Sequence, residues 1–125
     1  MDEGTQTSLG LVDESDFFGA NWLSKYAYMK NTKIYSDAKA LWQVLTSSMI
    51  DRKDIEAVTN TTIFTTGSYI YLTRYNTESG VLIYSAAYPN KIQYDMSEIS
   101  IFNSTIIDKL YSNGACEIYR IGDDK

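Results

Sequence analysis

At 125 residues, 44% hydrophobic and 22% charged, the chain suits one globular domain, large enough to bury a core without metal or disulfide staples. Histidine is absent and Cys116 is the one cysteine, which excludes an internal disulfide, Ser-His-Asp and Cys-His arrangements, and most zinc sites. The net charge of −5 is concentrated in Asp2, Glu3, Asp13, Glu14 and Asp16, so the remainder is nearly neutral and lacks the basic patch that a nucleic-acid binder needs.

Residues 1–12 carry little bulk beyond Leu9, Leu11 and Val12 and read as an extended acidic arm, with residues 13–125 forming a single domain. MDEGTQTSLG lacks the basic and then apolar character of a signal peptide, and no apolar run approaches the roughly 20 residues that span a bilayer. A cytoplasmic or virion location without membrane contact is the expectation. Ser15 or Asp13 can cap a first helix reaching about Lys30, with Phe18, Trp22, Tyr26 and Met29 at helical spacing. Ser36 can cap a second, Asp37 to about Met49, whose apolar stripe is Ala38, Leu41, Trp42, Leu45 and Met49. Asp51-Arg52-Lys53-Asp54 starts a short third helix through Ile55, Ala57 and Val58, and Thr59 to Phe64 is an approach strand.

The central expectation is a hairpin over residues 65–88. Tyr69, Tyr71, Thr73 and Tyr75 alternate with Ile70, Leu72 and Arg74, and Leu82, Tyr84, Ala86 and Tyr88 alternate with Val81, Ile83, Ser85 and Ala87. The connector Asn76 to Gly80 ends on the residue that takes positive φ without penalty. In one register Tyr69, Tyr71, Tyr75, Tyr84 and Tyr88 share a face, opposite an aliphatic back of Ile70, Leu72, Ile83 and Ala87. The second helix is expected on that back, placing Trp42 and Leu45 near Ile70, Leu72 and Ile83. Lys91 to Met96 then adds a third strand to a meander, Asn103 or Ser104 caps a helix ending at Asn113-Gly114, and Cys116 to Ile121 is a last strand. The whole is an α+β fold, N-terminal helices packed on a mostly antiparallel sheet built around the central hairpin.

No nucleophile–base pair, phosphate loop or ligand cluster emerges, so no enzymatic activity, metal or cofactor is expected, and Cys116 reads as a buried small hydrophobe. Asn60-Thr61-Thr62 and Asn103-Ser104-Thr105 fit the glycosylation sequon and, without a secretory signal, read as coincidence in a chain rich in Asn and Thr. Eleven tyrosines offer contact area with a polar tip. The expected function is protein contact, as a small structural subunit of a larger viral or phage assembly, held by Tyr69, Tyr71, Tyr75, Tyr84 and Tyr88 and by the arm. The alternatives are an acidic inhibitor or immunity-type protein that meets a basic toxin or enzyme with Asp2, Glu3, Asp13, Glu14 and Asp16, and a small hydrolase of unrecognised type.

Overall fold

A computed structural model of the chain describes residues 14–27, 32–48, 50–85 and 92–122. Among them one five-stranded sheet carries the fold, in the order β2-β1-β3-β7-β6, where β1 is Ile34–Ser36, β2 Ile55–Ala57, β3 Tyr69–Leu72, β6 Ile107–Ser112 and β7 Glu117–Ile121. A second, two-stranded sheet joins β4, Val81–Ser85, to β5, Ile92–Asp95. β1 pairs in parallel with β2 and β3, whereas β3–β7, β6–β7 and β4–β5 are antiparallel, so the α+β class and the antiparallel majority are as expected.

The hairpin over 65–88 does not form. After β3 the chain enters a short helix, α3, at Arg74–Ser79, capped at both ends. Thr73 and Asn76 make a reciprocal capping box, and Gly80 closes the helix at φ 74°, so its left-handed backbone serves a helix C-cap instead of a hairpin bulge. The segment that follows leaves the main sheet and pairs with β5. The partners of β3 are distant in sequence: Ile34 faces Tyr69, and Ile118 faces Tyr71. The period-two alternation does mark a strand here, but its neighbours are not the ones adjacent in sequence.

Helix α1 spans Glu14–Tyr26 and buries Asp16, Gly19, Ala20 and Leu23. Of the expected aromatic stripe, Phe18 and Tyr26 face outward instead, 57% and 67% exposed, and Met29 lies outside the described residues. Close approach explains the choice of face: a Cβ at Gly19 would lie 2.3 Å from Cys116 Sγ and 3.5 Å from the Tyr71 ring. Bulky residues cannot occupy that seam. Trp22 is half-buried, stacked at 5.1 Å on Tyr111 of β6 and 5.3 Å from the Tyr26 ring.

The second helical segment, α2, begins at Ala38 and changes winding twice, from α at Ala38–Ala40 to π at Leu41–Leu45 and 3-10 at Thr46–Ser48. Its cap is Asp37, whose carboxylate accepts the Ala40 N–H at 2.8 Å; Ser36 belongs to β1. The buried face is Ala40, Leu41, Val44 and Leu45, which leaves Trp42 65% exposed. Arg52–Asp54 is one 3-10 turn leading into β2, so the third helix is replaced by an edge strand. Thr59 to Phe64 is loop and turn. The helix expected near Ser104 is the strand β6, because pairing with β7 from Ile107 to Ser112 overrides a local pattern that also suits a helix.

The main sheet has a core on each face. Ile34, Tyr69, Tyr71 and Ile118 face α1 and α2 together with Leu23, Leu41, Val44 and Leu45. Tyr35, Ile70, Leu72 and Ile121 face the other way, covered by Leu82 of β4 and by Ile99 and Ile101 of the 3-10 segment. Leu45 is therefore core as expected, but it packs on the Tyr69 and Tyr71 side and not on Ile70 and Leu72.

Candidate functional site

Two places bring polar side chains together, and they differ in kind. The first is a buried joint at the C-terminal ends of β1 and β3. Asp37, 2% exposed, accepts hydrogen bonds from the Ala40 N–H, from Asn76 Nδ2 at 3.0 Å and from the Ile83 N–H at 3.1 Å, which ties α2, α3 and β4 to one carboxylate. Burial pushes its pKa up, and the three donors pull it back only in part. Beside it, Asp16 accepts the Arg74 N–H at 2.7 Å, and its carbonyl accepts the Tyr71 hydroxyl at 2.5 Å. Desolvation raises the Tyr71 pKa strongly. A perturbed, buried cluster is where catalysis is often sought. Yet no buried side-chain polar atom among the described residues lacks a partner, so the joint spends its donors and acceptors on holding elements together.

The second place is open. Along β2, an edge strand among the described residues, runs a cleft of about 670 Å³, lined by Lys33, Arg52, Glu56, the threonines 59, 61 and 62, Ile63 and Tyr84. Lys33 Nζ and Glu56 Oε1, both in its lining, are 2.9 Å apart, and the Glu56 hydrogen bond, then its charge, holds the Lys33 pKa above its ordinary value. Arg52 donates to the Ile55 carbonyl at 3.3 Å and sets its guanidinium 5.0 Å from the Trp42 ring centroid, within cation–π range. Tyr84 is 43% and Ile63 86% exposed. Edge strand, cation, aromatic rings and an aliphatic tip thus converge on one surface.

The expected tyrosine face is divided. Tyr69 and Tyr71 are core residues under α1 and α2, Tyr75 sits half-buried on α3, Tyr84 lines the cleft from the small sheet, and Tyr88 lies outside the described residues. Of the acidic set, Asp2, Glu3 and Asp13 also lie outside them; Glu14 is exposed at the start of α1, and Asp16 is 1% exposed and occupied by Arg74. The sequence pattern puts Trp42 on the buried stripe of α2, where the structure leaves it exposed, and gives Arg52 and Ile63 no surface role. One signal is in the sequence: Ile63 is a lone aliphatic in the polar run from Thr59.

Among the described residues no group of His, Cys, Asp and Glu could hold a metal ion, and no helix is long and apolar enough to cross a membrane. No curated protein and no solved structure matches the chain. A family model does match residues 9–119, nearly the whole length, and its family is described as "Predicted membrane protein (DUF2206)". The chain belongs to this family.

Proposed function

We propose that the chain is a non-enzymatic contact domain that docks another protein subunit in the cleft along β2. The observation that supports this most is Trp42, a large indole left 65% exposed under the guanidinium of Arg52, which itself lines the cleft with Tyr84 and Ile63. Tryptophan, tyrosine and arginine are the side chains that dominate binding energy at protein interfaces. Among the described residues the ring meets the Arg52 guanidinium, and most of its surface is left for a partner. The partner's complementary chemistry is a carboxylate for Arg52 beside an apolar side chain for Trp42 and Ile63, and the open edge of β2 offers backbone groups to an extended segment. Contact thus remains the work of the chain, moved from the tyrosine face to the β2 edge. The viral or phage setting contributes nothing to it, and Asp16, occupied by Arg74, is not available to an acidic inhibitor surface.

The test is a photo-crosslinking residue placed at Tyr84, with a control at Leu110 on β6, at the opposite edge of the sheet. A discrete protein adduct is expected at 84 and not at 110, and Arg52→Ala should abolish it without moving the thermal midpoint. Equal labelling at both positions, or none at 84, would sink the assignment.

A further inference from the structure

We propose that Asn60 is an acceptor site for N-linked glycosylation. Asn60-Thr61-Thr62 has the required Asn-x-Thr pattern, and the structure places it in the turn between β2 and β3. That turn is built by the threonines: the Thr59 N–H donates to Thr62 Oγ1 at 2.8 Å, the Thr61 N–H donates to Thr59 Oγ1 at 3.2 Å, and the Thr62 N–H donates to the Thr59 carbonyl at 3.3 Å. Asn60 is exposed at its tip, and among the described residues its side-chain amide makes no hydrogen bond. A transferase can therefore reach Nδ2 without breaking a hydrogen bond of the Asn60 side chain.

The second sequon, Asn103-Ser104-Thr105, provides an internal comparison. Asn103 is exposed too, but its Nδ2 donates to the Ser97 carbonyl at 3.1 Å and belongs to the 3-10 segment whose Ile101 fills one core. Modification there must first break a bond that holds the segment. Membership of a family described as a predicted membrane protein supplies the setting, since a domain of a membrane protein can stand on the face where lipid-linked saccharide donors are used. In the step itself Asn60 Nδ2 attacks the anomeric carbon of a polyprenyl-phosphate- or diphosphate-linked saccharide. The carbon–nitrogen bond forms as the carbon–oxygen bond breaks, the lipid phosphate leaves with the electron pair, and the amide gives one proton to a base of the transferase.

Asn60 is flanked by Thr59, Thr61 and Thr62, which line the cleft, so the glycan would stand at its rim; the assignment holds whether or not a protein docks there. Peptide mass spectrometry on the chain isolated from its own cells tests it, because trypsin releases the two sequons separately, in residues 54–74 and 92–109. A saccharide mass is expected on the first peptide, lost in Asn60→Gln and in Thr62→Ala, with occupancy of the second at least about ten-fold lower. A bare 54–74 peptide, a mass that survives Asn60→Gln, or preferential modification of Asn103 would each overturn the proposal.

Discussion

Single side chains decide more of this fold than their surroundings in sequence suggest, and Asp37 is the clearest instance. Its carboxylate caps α2 and accepts from Asn76 of α3 and from the Ile83 N–H of β4, so three elements meet on two oxygens. Because burial raises its pKa in the folded state, the native chain binds this proton more tightly than the unfolded chain, whose Asp titrates near about 3.9. The contribution of Asp37 is therefore fully present below that pH and is lost as pH rises toward the folded value. Asp37→Asn cannot titrate, and it sets an amide against donors, at a cost of roughly 1 to 3 kcal/mol. In urea unfolding from pH 3.5 upward, the gap between wild type and this variant should be widest at the acidic end and narrow as pH rises. A gap that widens with pH would show that the three donors outweigh burial. In the sequence, Asp37 was legible as a residue suited to a helix start, but Asn76 and the Ile83 N–H lie 39 and 46 positions away, and local pattern carries no information on such partners.

At the scale of elements, the contrast between α1 and α3 is instructive. α1 is found close to where helical spacing predicts it, yet it presents the opposite face, because the sheet rewards the depth of contact that Gly19 and Ala20 permit more than the area of Phe18 and Tyr26. Gly19→Ala should accordingly destabilise by roughly 1 to 3 kcal/mol through overpacking on Cys116, although alanine is the better helix former. Cys116→Ala removes the Sγ that the new methyl would meet, so the double variant should recover part of the loss in a denaturation cycle. Strict additivity of the two changes would place α1 elsewhere. α3 teaches the reverse lesson: Thr73, Asn76 and Gly80 are a readable cap pair around a six-residue helix, and the alternation of tyrosines on either side masked them. Six residues are too few for helical periodicity to compete with period two.

For the whole molecule, one sheet backed by two cores implies that neither face is stable without the other. Leu45 fills the core under α1 and α2, Leu82 the core under β4, and both are essentially inaccessible to solvent. Leu45→Ala and Leu82→Ala should each cost roughly 2 to 5 kcal/mol and shift one common unfolding transition. Two separable transitions in either variant would mean that the faces fold independently. The class of the fold, the existence of α1, the start of α2 and the strands near Tyr69, Val81, Ile92 and Glu117 were determined by sequence alone, because each rests on local spacing, capping chemistry or β-branched and aromatic composition. Which strands pair, which face of α1 is buried and where Trp42 points were decided only by tertiary structure. β1 and β2 are three residues each and carry no periodic signal of their own. They become strands because parallel pairing with β3 satisfies their backbone and buries Ile34, Tyr35 and Ile55, and the cleft exists only because β2 is left at the edge of that sheet.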